Sequence, residues 1–313
     1  MADITFTLNT GAKIPAVGLG TWQSAPGEVK AAVAHAIKVG YRHIDCAYCY
    51  ANEDEVGAGI QEGLKATGLQ RSDLFITTKL WCTYHTRVEQ NLDMSLKSLG
   101  LDYVDLYLMH WPVAMNPEGN HEKFPKKPDG SRDLILERKP VDTYKDMEKL
   151  LQTGKVKAIG VSNFSKKFLE QLLPQVSVVP AANQIENHPL LPQQEVVDYC
   201  KEKGILVEAY SPLGSTGSPL MKDKNVVKVA EETGASPGTI LLSYHVARGV
   251  VPLPKSVTPS RIEENFKIVK LSAEQLSALE DISKSGTTRF VYPEFGINFG
   301  FPDKDYGTVA SAA

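Results

Sequence analysis

Short apolar runs alternate along this chain with longer stretches whose apolar positions recur at helical spacing. The opening is different. Ile4 to Leu8 alternates apolar and polar residues, Asn9-Thr10-Gly11-Ala12 supplies turn chemistry, and Lys13-Ile14-Pro15 follows, which predicts a β-hairpin. After it, eight runs predict strands: 16–22 (AVGLGTW), 41–47 (YRHIDCA), 74–80 (LFITTKL), 103–110 (YVDLYLMH), 156–164 (VKAIGVSNF), 181–187 (AANQIEN), 205–213 (ILVEAYSPL) and 250–255 (VVPLPK). Helical spacing fills 27–39, 53–66, 86–99, 141–153, the stretch opened by Ser165 as N-cap, 194–203, 225–233 and 236–248, and residues 260–268 begin the last core helix.

Each strand is followed by a helix, and the strands are apolar enough to be buried on both faces. That pattern predicts an all-parallel sheet closed as a (β/α)8 TIM barrel, in the α/β class, with the hairpin in front. Residues 1–313 form one expected domain, since no linker divides the chain. Pro112 to Pro140 is too rich in Pro, Gly and charge for a strand, and a loop of that length usually has a function or moves. The tail from Phe290 to Asp305 is aromatic and aperiodic, an expected loop over the substrate side.

Active sites of such barrels lie at the C-terminal ends of the strands. In strand order those ends carry Thr21 and Trp22; Asp45 with Tyr50 just beyond; Lys79; His110 and Trp111; Ser162 and Asn163; Gln184 and Asn187; Tyr210 and Ser211; Lys255 and Ser256. Taken singly, Lys79 is a solvated cap, His110 a structural imidazole and Tyr50 a loop tyrosine. Together they are complementary. A carboxylate at the mouth of an apolar strand is costly unless paired, and Asp45 keeps Lys79 charged. The ammonium is expected to lower the phenol pKa of Tyr50, which then gives a proton to a carbonyl oxygen, while His110 orients that oxygen.

The bulk composition narrows the alternatives. A net charge of -3 gives no electrostatic reason to expect nucleic acid, and no apolar run approaches the length of a membrane span. Neither a signal peptide nor a peroxisomal or prenylation signal is seen, so a cytoplasmic protein is expected. Cys46 and Cys49 form a C-x-x-C, but no second one exists, and the four cysteines are expected to be reduced packing residues. The seven histidines contain no H-x-x-x-H, so no metal site is expected. No G-x-G-x-x-G follows a strand; a cofactor has to be held by the rim itself.

Five segments carry a resemblance: GYRHIDCA-x-x-Y-x-NE-x-EVG at 40–57, LMHWP at 108–112, IGVSNF at 159–164, NQIENHP at 183–189 and LPKSVTPSRIEEN at 253–265. With these the chain resembles the aldo-keto reductases over nearly its whole length, most of all the fungal NADP-linked aldehyde reductase, glycerol dehydrogenase and uronate reductase types. The resemblance implies a catalytic tetrad of Asp45, Tyr50, Lys79 and His110. It implies NADP(H) bound by Ser162, Asn163 and Gln184 at the carboxamide and by Tyr210 under the nicotinamide. Ser211, Leu213 and Ser215 would cover the pyrophosphate, and Lys255, Ser256, Val257, Thr258 and Arg261 would surround the 2'-phosphate. Glu264 and Asn265 would contact adenine, with Thr21, Trp22 and Asp45 also against the cofactor. Lys255 and Arg261 beside hydroxyls fit a phosphate on their own chemistry too. Ala51 and Tyr48 depart from residues frequent in relatives, without touching the tetrad.

The expected substrate wall is Trp22, Tyr48, Tyr50, Trp81, His110 and Trp111, with parts of the 112–140 loop and the tail. Small polyol aldehydes such as glyceraldehyde, or uronates such as galacturonate, are the expected substrates, reduced by a monomer. Arg289 is either a partner for a uronate carboxylate or a solvated arginine. Two rival readings stand beside this one: a cofactor-binding subunit without turnover, and a phosphate-binding isomerase or lyase, for which Tyr50 with Lys79 and His110 is not an enolisation pair.

Overall fold

The computed structural model describes residues 4–215 and 217–304. The expected hairpin forms from β1 (Thr5–Thr7) and β2 (Lys13–Pro15), with Phe6 opposite Ile14. Eight parallel strands follow in sequence order around one sheet: β3 (Leu19–Gly20), β4 (His43–Asp45), β5 (Phe75–Leu80), β6 (Val104–Met109), β7 (Val156–Ser162), β8 (Ala182–Glu186), β9 (Leu206–Tyr210) and β10 (Val251–Pro252). The two ends of the sheet meet: Gly18 and Gly20 donate their N–H groups to the Pro252 and Pro254 carbonyls at 3.1 and 2.9 Å, and Gly20 bridges Lys255 in parallel. The fold is the expected TIM barrel.

The first and last barrel strands are shorter than the apolar runs predict. At that seam the backbones approach so closely that a Cβ on Gly18 would sit 2.6 Å from Leu253 and 2.7 Å from His43. Only glycine fits there, and regular pairing lasts for a few residues.

Helices α1 (Val29–Val39), α2 (Glu53–Thr67), α3 (Val88–Leu99), α4 (Pro140–Leu150), α5 (Lys166–Leu172), α6 (Gln194–Glu202), α7 (Lys224–Thr233), α8 (Pro237–Ala247), α9 (Pro259–Asn265) and α10 (Ala273–Glu280) accompany the strands. Ser165, Asp223, Ser236 and Ser272 cap α5, α7, α8 and α10 through side-chain oxygens. Helix α10 lies beyond the last helix expected. Its signal is the capping box Ser272 to Gln275, with the Ser272 oxygen accepting from Gln275 N at 3.2 Å.

Strands β5 and β6 are buried along their whole length. Between sheet and helices runs the main core, including Ile44, Ile76, Leu92, Tyr107 and Val161. A second cluster, with Leu8, Ile14, Phe75, Leu106 and Leu108, fills the N-terminal end of the barrel under the hairpin. That end is sealed, so polar chemistry collects at the other. The 112–140 segment contains no strand, only the isolated bridges Met115–Leu134 and Lys126–Arg132.

Candidate active site

Four side chains from three neighbouring strand ends and one turn converge at the open rim. Asp45 is the last residue of β4, Lys79 the next to last of β5, and His110 directly follows β6, its N–H on the Leu80 carbonyl at 3.1 Å. Tyr50 ends the single 3-10 turn Tyr48–Tyr50. Ala51 follows in the left-handed region at φ 57°, a conformation that reverses the chain into α2.

Lys79 is fully buried. Its Nζ donates to both Asp45 carboxylate oxygens at 2.8 Å, to the Cys46 carbonyl at 3.0 Å and to the Tyr50 hydroxyl at 3.3 Å. Burial opposes the ammonium charge, but Asp45 and Tyr50 outweigh it and hold the Lys79 pKa above its ordinary value. For Tyr50 the expectation of a lowered phenol pKa is not met. Burial pushes the phenol up, and Lys79 offsets only part of that shift. The hydroxyl therefore keeps its proton at neutral pH, as a donor must. Burial, then Lys79, drives the His110 pKa well below the usual histidine range, so its ring is neutral. That ring stands edge-on to Tyr50 at 5.7 Å and to Trp81 at 5.2 Å.

Behind the tetrad lies a second buried row. Gln184 on β8 donates one Nε2 hydrogen to Asp45 Oδ1 at 2.9 Å and the other to Glu208 Oε2 at 3.0 Å. Two carboxylate acceptors fix which end of the amide is nitrogen, and among the described residues nothing donates to its Oε1. Glu208, on β9 opposite Gln184, is fully buried; burial, with Asp45 adding to it, pushes its pKa up to about 7. His43 Nε2 lies 3.6 Å from the other Glu208 oxygen.

The wall of the site is aromatic. Trp81 is buried, with Nε1 on the Lys123 carbonyl at 2.7 Å, and Phe124 stands edge-on to it. Trp111 packs on Phe295 and Phe299 of the tail. Tyr48 gives its hydroxyl hydrogen to Glu122 and lies edge-on to Tyr84. Trp22 is exposed at the rim, so it is no core residue.

Residues 16–284 match the family described as "Aldo/keto reductase family". The chain belongs to the aldo/keto reductase family. Among curated relatives of this aldo/keto reductase is "D-galacturonate reductase" of Hypocrea jecorina, 62% identical over 97% of this chain and 100% of the relative. Another is "Glycerol 2-dehydrogenase (NADP(+))" of Saccharomyces cerevisiae, 51% identical over 92% of this chain and 94% of the relative. The solved aldose reductase of Schistosoma japonicum superposes with a TM-score of 0.85 at 39% identity, over 92% of this chain and 94% of that one.

The remaining rim residues expected of an aldo/keto reductase divide into engaged and open groups. Thr21 is buried, its hydroxyl on the Asp45 carbonyl at 2.9 Å. Asn163, left-handed at φ 64°, gives Nδ2 to the His110 carbonyl and accepts from the Tyr210 hydroxyl, both at 2.8 Å, so it fixes ring and strand end to each other. The Ser162 hydroxyl donates to the Gln184 carbonyl at 2.8 Å. Ser211 and Ser215 have φ of 52° and 64°, in a loop with half-buried Leu213; Thr216 lies outside the described residues.

At the other end of the row, Lys255 is exposed with Nζ on the Gln23 carbonyl at 2.9 Å, and the Ser256 hydroxyl accepts from Thr258 N at 3.1 Å. Val257 is half-buried and Arg261 exposed, and neither Lys255 nor Arg261 has a carboxylate partner among the described residues. Glu264 is tied to Lys267 at 2.9 Å and to Thr239 at 3.2 Å, and Asn265 is buried.

Arg289 corrects both sequence expectations. It is neither solvated nor free for a substrate: Nε and Nη2 hold Asp303 at 2.7 and 2.8 Å, and Nη2 also reaches Gln193. It ties the tail to the barrel. Glu186 does the same from inside, accepting from Phe290 N at 2.7 Å and Val291 N at 2.8 Å. Sequence reading missed Glu208 and Glu186, although each is an acid inside an apolar strand, the same signal that marks Asp45. The cysteines are all free, and Cys46, Cys82 and Cys200 are buried packing residues. Among the described residues no helix is long and apolar enough to cross a membrane.

Proposed function

We propose that this aldo/keto reductase reduces aldehydes or ketones, above all small polyol aldehydes or uronates, to alcohols with NADPH, and that Tyr50 gives the proton. The observation that carries the reading is Lys79, fully buried, bonded at once to both oxygens of Asp45 and to the Tyr50 hydroxyl. NADPH, when bound, supplies the hydride. Tyr50 donates its proton to the carbonyl oxygen as negative charge develops there. Lys79 stabilises the phenolate left behind, and Asp45 keeps Lys79 charged and in place. Neutral His110 offers a ring N–H to the same oxygen and orients it.

The residues present fit that cofactor. The Gln184 Oε1, turned away from two carboxylates, is an acceptor for a carboxamide NH2. Ser162 and Asn163 hold the strand ends beside it, and Tyr210 presents a ring fixed by Asn163. Lys255 and Arg261, exposed and without carboxylate partners, suit a 2'-phosphate, with Ser256, Val257 and Thr258 between them, and Glu264 and Asn265 are taken as the adenine contacts. The kinship with a galacturonate reductase and a glycerol dehydrogenase supports the substrate range. The same reading takes the chain as one domain, working as a monomer in the cytoplasm.

The test is direct. The protein is mixed with NADPH and either DL-glyceraldehyde or D-galacturonate, and absorbance at the nicotinamide band is followed. Oxidation with an aldehyde is expected. None with any small aldehyde would leave the cofactor-binding subunit without turnover as the better reading.

A further inference from the structure

Arg289 is shut in with Asp303, so a carboxylated substrate needs another cation. Arg132, in the 112–140 loop, has the right surroundings. Its guanidinium carbon lies 5.4 Å from the Phe124 ring and 5.6 Å from the Phe295 ring. Phe124 leads edge-on to Trp81, and Trp81 edge-on to His110, at 5.2 Å each. Phe295 leads to Trp111 at 5.8 Å. Two aromatic rows therefore start at the active site and end on one cation.

That cation has unmet capacity. Its Nη1 donates to the Phe124 carbonyl at 2.7 Å. Its Nε is buried without a hydrogen-bond partner, and among the described residues no carboxylate pairs with it. Among the described residues Nη2 makes no hydrogen bond either, and a guanidinium N–H left open in this way suits a carboxylate oxygen. The two rings restrict the side chain and strengthen the charge by excluding water. Lys123, with Nζ 5.0 Å over the Tyr48 ring, adds a second cation at the mouth, and Glu122 beside it is engaged by the Tyr48 hydroxyl.

We propose that Arg132 is the residue that recognises a substrate carboxylate, and that it selects aldehydes carrying an acid at the far end of the chain, the uronates, over uncharged aldehydes. This rests on the carbonyl-reduction reading above.

The experiment measures kcat and KM with NADPH for D-galacturonate and for DL-glyceraldehyde, in the wild type, R132Q and R132K. In R132Q the KM for galacturonate is expected to rise about tenfold to a hundredfold, the range of a lost hydrogen bond to a charged group, with kcat little changed and glyceraldehyde kinetics within about twofold. R132K should recover part of the loss. In the wild type, added salt should raise the KM for galacturonate and leave that for glyceraldehyde alone, a readout that needs no variant. Equal losses on both substrates, an unmoved galacturonate KM, or a wild type active on glyceraldehyde but not galacturonate would overturn the assignment. A wild type inactive on both would instead overturn the carbonyl-reduction reading on which it depends.

Discussion

Gln184 gives one amide hydrogen to Glu208 at 3.0 Å and the other to Asp45 at 2.9 Å, so one side chain joins two buried carboxylates. Glu208 has its pKa raised from 4.5 to about 7 by burial and by Asp45. An acid whose folded pKa is raised binds its proton more tightly in the folded chain. Its contribution is complete below the unfolded pKa and is lost as pH rises to about 7. The loss is on the order of 3 kcal/mol at about 1.4 kcal/mol per pKa unit. His43, lowered to about 3 by burial, acts in the opposite sense and loses stability as pH falls. Urea unfolding from pH 5 to 8 should therefore show wild type and Glu208→Gln diverging as pH rises, with the variant gaining relative stability. Parallel curves would refute the Glu208 linkage.

The Lys79 and Asp45 pair lies away from water, and each charge is tolerable only beside the other. Asp45→Asn should cost about 3–5 kcal/mol of stability by leaving the ammonium unpaired. Removing both charges, in Asp45→Asn with Lys79→Met, should restore part of it. A double-mutant cycle in chemical denaturation measures the coupling; additive single losses would contradict it.

The tail is held by Glu186 through the Phe290 and Val291 N–H groups. Glu186→Gln removes one acceptor and leaves a part-buried N–H without its charged partner, worth about 1–2 kcal/mol. Amide exchange at Phe290 and Val291 should quicken about tenfold to a hundredfold, while amides of β5 and β6 keep their protection. Uniform acceleration across the barrel would mean that Glu186 supports the whole fold and not the tail.

Lys255 and Arg261 stand exposed without carboxylate partners beside the seam. Lys255→Ala and Arg261→Ala should each weaken NADPH binding about tenfold or more, the value of a lost charged hydrogen bond, and leave NADH nearly unchanged. Fluorescence titration with both nucleotides decides it. Equal weakening of both would remove the 2'-phosphate from this position.

Much of this architecture is legible in the amino-acid order because each barrel strand is short, apolar and followed by a stretch at helical spacing, some of these opened by a capping side chain such as Ser165 or Asp223. The meeting of Asp45 and Lys79 was legible for a related reason: they are charges at the ends of apolar runs, and burial demands that they pair. Strand length at Gly18 to Gly20 was not legible, since it depends on Leu253 and His43, far away in sequence. The fate of Arg289 was hidden likewise, because Asp303 meets it only after the tail folds back. The net rise in the Tyr50 pKa depends on how much water the rim excludes, a quantity no motif encodes.

At the seam of the barrel, Pro252 and Pro254 accept hydrogen bonds from Gly18 and Gly20 but have no N–H to return. The join between first and last strands therefore lacks return bonds at both prolines and closes on the single Gly20–Lys255 bridge, while β5 and β6 pair over four registered positions. The cylinder has a designated zip, and partial opening should begin there, freeing the hairpin end before the central strands exchange their amides. Lys255 lies where that zip ends, and its Nζ already holds the Gln23 carbonyl across it. A ligand anion gripped at Lys255 would act as the fastener, so that occupancy of the site and integrity of the cylinder become one equilibrium.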